Sequence, residues 1–156
     1  MSMIGNFGWY SKDKFDEILK QVKNTPADTG VLLTEIHDNL DESSNKLMNG
    51  RCSGEIFIAL FQYFKEAHGM DVREKMASAG LIESWLETTG DFDIVVFYEK
   101  EKLLSLENTL NYDEISQYIN EFYEADCQDA GRTACEAFFH NLKETAEDKV
   151  LIWHLC

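Results

Sequence analysis

Apolar and polar positions alternate along the chain with two different periods, and each period predicts an element. Residues 3–10 mix apolar residues with glycines and read as a short strand. Ser11 then stands where a helix cap belongs, and Phe15, Ile18, Leu19 and Val22 follow at helical spacing. Asn24 to Gly30, with the single proline Pro26, reads as a turn. Residues 31–48 read as a second helix carrying Leu33, Ile36, Leu40 and Leu47, interrupted by the polar run Asp41-Glu42-Ser43-Ser44-Asn45. Ser53 opens a third helix that runs through Ala67 and is closed by Gly69. It is apolar almost all round, through Ile56, Phe57, Ile58, Leu60, Phe61, Tyr63 and Phe64, as a buried central helix is.

Two short helices are predicted over 71–77 and 81–87, around Gly80. Residues 92–98 are rich in β-branched and aromatic side chains and give the clearest strand. Helices follow over 100–108, 112–126 and 129–146, and residues 149–155 form a last apolar strand. The expected fold is therefore α+β: mostly helical, with a small sheet of about three strands (3–10, 92–98 and 149–155). With no Ser/Gly linker, repeat or low-complexity tract, the 156 residues read as a single domain.

Composition leaves this picture intact and adds charge. The hydrophobic share is 44%, enough for a core without metal or disulfide staples. Fourteen Lys and Arg stand against 29 Asp and Glu, a formal net charge of −15. Such a field repels phosphate backbones and anionic membranes and attracts basic partners, so neither nucleic acid nor membrane is expected as a partner. The opening residues lack a basic, then apolar, export pattern, and no window approaches the ~20 apolar residues of a membrane span. These features predict a cytoplasmic protein whose four cysteines (52, 127, 135 and 156) are free thiols.

Sequence patterns for phosphate loops, dinucleotide turns, zinc proteases, serine hydrolases, EF-hands and CxxC pairs are missing. Cys127, Cys135 and His140 are the one local group of soft ligands. Positions 135 and 140 are five apart on one predicted helix and point to different sides, so neither a metal nor a cofactor is expected. A Cys127 or Cys135 nucleophile paired with His68, His140 or His154 would need an electropositive setting, which an acidic chain does not offer. Paired carboxylates are too plentiful to single out two of them for acid–base work.

The carboxylates are unevenly spread. Residues 112–148 hold ten of them, from Asp113 to Asp148, against only Arg132 and Lys143. Tyr112, Ile115, Tyr118, Ile119, Phe122 and Tyr123 share this stretch at helical spacing, which suits a core stripe or a tyrosine-rich interface. Acidic groups beside aromatics are what a binder of a basic protein surface carries. The expected partner-binding residues are Tyr118, Glu121, Tyr123, Glu124, Asp126 and Asp129, with the two tyrosines as anchors. No catalytic residue is expected.

The opening Met1-Ser2-Met3-Ile4-Gly5-Asn6-Phe7, followed by Ser11-Lys12-Asp13-Lys14-Phe15-Asp16-Glu17-Ile18-Leu19, resembles the start of the YfbM-like family of small bacterial proteins. The resemblance implies a Met-x-Met strand and a Ser-capped helix, and no settled activity. The whole profile (small, acidic and without enzyme motifs) is similar in type to bacterial immunity proteins. That similarity implies a cytoplasmic module that blocks a basic cognate toxin, such as a nuclease, at its active site. The alternative is a small cytosolic enzyme with cysteine- or carboxylate-based chemistry on a small molecule, and a structural or oligomeric adaptor is a third reading.

Overall fold

A computed structural model describes residues 5–25, 27, 29–43, 53–70, 94–97, 100–123 and 129–155. The elements, in order, are β1 (Gly5–Ser11), α1 (Lys12–Asn24), α2 (Thr29–Asp38), β2 (Asp41–Glu42), α3 (Ser53–His68), β3 (Ile94–Phe97), α4 (Lys100–Leu104), a 3-10 turn (Glu107–Thr109), α5 (Tyr112–Tyr123), α6 (Ala130–Lys143) and β4 (Lys149–Leu155). The fold is α+β and mostly helical, with a small antiparallel sheet. The chain packs as two compact units: a sheet unit (6–43, 73–98, 145–156) and a helical unit (1–5, 44–72, 99–144).

In the sheet unit the strands run in the order β2-β1-β4-β3, four where the sequence predicted about three. The three expected strands are present as β1, β3 and β4. β4 lies inside the sheet, and Val150, Leu151, Ile152, Trp153 and His154 are all buried, so both of its faces are covered. That is why it reads as a continuous apolar run rather than an alternation. Val96 pairs with Ile152, and Phe97 with Leu151. On one face Tyr10, Val96, Val150 and Ile152 meet Phe15, Ile18 and Val22 of α1 and Leu32 and Ile36 of α2. Burying each large aliphatic or aromatic side chain contributes about 1.5–3 kcal/mol. The Ser11 hydroxyl accepts from the Lys14 amide (3.4 Å), so the cap expected at Ser11 starts α1 as β1 ends. Trp9 Nε1 donates to the Thr145 hydroxyl (3.0 Å), which satisfies a polar atom of each side chain.

The expected helix over 31–48 is corrected. It starts at Thr29, ends at Asp38, and gives way to the fourth strand, β2. Asn39 folds back at this end, its amide and its side chain both donating to the Glu35 carbonyl. The carboxylates of Asp38, Asp41 and Glu42 oppose the negative end of a helix dipole, which disfavours continuation. β1 meanwhile offers an edge. Glu42 pairs with Gly8, and a Cβ at Gly8 would sit 3.3 Å from the Asp41 carbonyl oxygen and 3.4 Å from Leu40. Glycine thus lets the short strand approach closely.

In the helical unit α3 is the central helix that its all-round apolar sequence predicted. Ile56, Phe57, Ala59, Leu60, Phe61, Tyr63 and Phe64 are buried, and α5 and α6 pack against it. Phe64 and Phe138 of α6 are both fully buried, with ring centroids 5.6 Å apart. α3 ends as expected at Gly69, which has φ +64°. The Gly69 and Met70 amides donate to the Lys65 and Phe64 carbonyls, a closing pattern that needs a left-handed residue. The expected helix 100–108 is two pieces, α4 and the 3-10 turn, and the helix 129–146 is the shorter α6. The helices expected over 71–77 and 81–87 lie outside the described residues.

Candidate acidic–aromatic face

The face is built on α5, whose two sides have different chemistry. Asn111 starts the helix, its side-chain oxygen accepting from the Asp113 (3.0 Å) and Glu114 (3.1 Å) amides. Ile115 and Ile119 are buried, while Asp113, Glu114, Gln117, Glu121 and Phe122 are exposed. α5 contains no Lys or Arg.

Two tyrosine–glutamate pairs tie α5 to α3. The Tyr118 hydroxyl donates to Glu66 Oε2 (2.8 Å), and Gln62 Nε2 donates to Glu66 Oε1 (3.0 Å). Partial burial, and then the Glu66 carboxylate, push the Tyr118 phenol up to about 12. Partial burial, and then Glu114 of α5, push the Tyr63 phenol of α3 up in the same way. The bonds from Gln62 and Tyr118 hold the Glu66 carboxyl below its ordinary value. The Tyr118 ring meets Tyr63 edge-on (5.4 Å) and stacks on Phe122 (6.1 Å, 21° between planes). Phe122 is 47% exposed, so the stack ends in solvent. Glu121, beside it, accepts from Gln117 Nε2 (3.1 Å).

Two cations of the helical unit are held in contacts away from Glu66 and Glu121, and a third acts on Glu66 itself. Arg132 of α6 lies over the Tyr112 ring (5.5 Å), Lys143 pairs with Glu107 (2.7 Å), and Lys65 acts on Glu66.

Of the residues expected to bind a partner, Tyr118 and Glu121 lie one turn apart on α5. Tyr123 ends that helix, with its side chain outside the description. Glu124 and Asp126 lie outside the described residues. Asp129 is exposed, takes a left-handed conformation (φ 55°) and precedes α6 without a side-chain capping bond. Two further residues of this face were not among the expected partner-binding residues. Phe122 lies four residues after Tyr118 and was readable from helical spacing. Glu66 is 52 positions away from Tyr118, and no local pattern connects them.

The candidate thiol chemistry fares differently. Cys135 is fully buried, and burial, followed by Glu136 and Glu107, pushes its thiol up to about 12. His140, on the same helix, is exposed, so the two side chains do not converge. Cys52, Cys127 and Cys156 lie outside the described residues. Among the described residues no group of three His, Cys, Asp or Glu side chains could hold a metal ion. Nor is any helix there long and apolar enough to cross a membrane.

No family model matches the chain, and searches of curated proteins and of solved structures gave no significant match.

Proposed function

We propose that the chain is an acidic protein-binding module, most concretely a bacterial immunity protein that acts in the cytoplasm and neutralises a basic cognate toxin. The observation that carries the reading is the α5 face: a tyrosine–phenylalanine stack that ends in solvent, flanked by Glu66 and Glu121, on a helix without a cation. The acidic field draws a basic partner in and orients it, and the rings supply apolar contact once it has docked. A toxin acting on nucleic acid would meet carboxylates where it expects phosphates, which blocks its active site.

The cysteine-enzyme alternative loses support at Cys135. A nucleophilic thiol needs access and a lowered pKa, and this one has neither. The expected resemblance of the opening strand and Ser-capped helix to YfbM-like proteins adds no site residue to the proposal.

The test is binding of a captured basic partner to the wild type, to Glu66→Lys/Glu121→Lys and to Phe122→Ala. The charge reversals should slow association about tenfold or more at low salt. Phe122→Ala should leave association largely unchanged and speed dissociation. Unchanged kinetics in all the variants would remove the face from the proposal.

A further inference from the structure

Glu66 joins the α5 face from α3, and it stands where a helix disfavours a carboxylate. It lies in the last turn of α3 with Lys65 and His68, at the end of the helix dipole that attracts cations. Two side-chain bonds offset that position. Gln62 Nε2, one turn back, donates to Oε1 (3.0 Å), and the Tyr118 hydroxyl of α5 donates to Oε2 (2.8 Å). Both oxygens are therefore held, and from two different helices. Each of these bonds does more than Lys65 to keep the Glu66 carboxyl below its ordinary value. The Tyr118 ring is placed in turn by Tyr63, which it meets edge-on (5.4 Å), and by Phe122, on which it stacks (6.1 Å).

A carboxylate offers about four lone-pair positions, so two donors leave about two of them to a third group. Glu66 is exposed, and that group can come from solvent. One position on each oxygen suits the fork of a guanidinium, which donates two parallel N–H bonds. A lysine ammonium is a strongly hydrated point charge and gains from the charge of Glu66 but little from its orientation. Glu121 provides the contrast on the same face. It is held at Oε1, by Gln117 of its own helix (3.1 Å), so it adds charge with a less fixed direction. The setting is complementary to a cation: α5 contains no Lys or Arg, and the chain carries a net charge of −15.

We propose that Glu66 is the arginine-selecting contact of the face and that Tyr118 is the residue that positions it: the partner presents a guanidinium, which the held carboxylate receives with both oxygens. The inference rests on the basic-partner reading and deepens it by naming the side chain that the partner supplies. Tyr118 thus acts through its hydroxyl as well as through its ring. A loose carboxylate must be ordered when a partner binds, whereas this one is ordered beforehand. That advantage reaches only a partner group that uses direction.

The test is isothermal titration at low salt with two Gly/Ser peptides of one length, one bearing several arginines and the other the same number of lysines. The wild type should bind the arginine peptide about threefold more tightly than the lysine peptide. Tyr118→Phe removes the hydroxyl and keeps the ring, and Glu66→Gln changes an exposed position, so both variants should fold, as circular dichroism would report. In both, the preference for arginine should vanish. Tyr118→Phe should leave the lysine peptide bound as tightly as by the wild type, whereas a merely structural role for Tyr118 would weaken both peptides together. That joint weakening, equal wild-type affinities, or a preference that either variant keeps would overturn the proposal. Equal wild-type affinities that fall as salt rises would still leave the basic-partner reading in place, while binding of neither peptide would remove the acidic face from both proposals.

Discussion

Cys135 sits at 0% exposure with its thiol pushed up to about 12, so burial has turned a reactive group into a small core side chain. In the native protein at about pH 8 it should resist a thiol-labelling reagent, and it should react within minutes once the chain is unfolded. Peptide mapping of the labelled protein reads this directly, and prompt native labelling at Cys135 would contradict the packing around α6. The Tyr118–Glu66 pair makes a second prediction with a definite sign. A phenol whose folded value lies above its ordinary 10.0 adds stability below that value. The addition is lost as pH climbs from 10 through about 12. Glu66, held below 4.5, adds stability above that value and loses it as pH falls. In an ultraviolet pH titration, one tyrosine should ionise near 12 in the wild type. Glu66→Gln should move it back towards 10, with the fold retained because Glu66 is exposed. An unmoved titration would show that the bond is not held in solution.

At the scale of elements, α5 and α6 approach each other closely at Gly131. A Cβ on Gly131 would lie 2.5 Å from the Tyr112 carbonyl oxygen and 2.6 Å from the Ser116 nitrogen, both backbone atoms, so the helices would have to separate. The same approach lets the Gly131 amide donate to the Ser116 hydroxyl (2.8 Å). Gly131→Ala should therefore destabilise by about 1–3 kcal/mol, seen as a lower thermal midpoint. Gly30, in α2 with nothing within 4 Å of its missing Cβ, is the control. Gly30→Ala should stabilise by about 0.5–1 kcal/mol. This contrast also marks what could be read from the sequence. Phe15, Ile18 and Val22, the stripe of α1, announce their own burial, and so do the apolar run of β4 and the Gly69 stop of α3, because each obeys a local period or cap. β2 was not legible, since two exposed acidic residues become a strand only because β1 offers an edge at Gly8. Tyr118 and Glu121 were legible as an acidic–aromatic stripe, whereas Glu66 joins them through tertiary packing of α3 on α5.

At the scale of the whole molecule, the excess of carboxylates is the basis of the proposed binding to a basic partner. Its field extends about a Debye length, roughly 8 Å at physiological salt, so encounter with a basic partner must depend strongly on ionic strength. In the proposed complex, the aromatic contacts at Tyr118 and Phe122 are short-ranged and should depend on salt far less. These two parts of binding are separable in kinetics, because steering acts on association and packing acts on dissociation. The most direct test of the account is stopped-flow association and dissociation of the captured basic partner across a salt series, with the wild type, Glu66→Lys/Glu121→Lys and Phe122→Ala. The account predicts wild-type association that falls steeply with salt, a charge-reversal variant slow at every salt concentration, and Phe122→Ala slower only in holding on. Association that ignores both salt and charge reversal, or a partner that leaves Phe122→Ala no faster than the wild type, would contradict it.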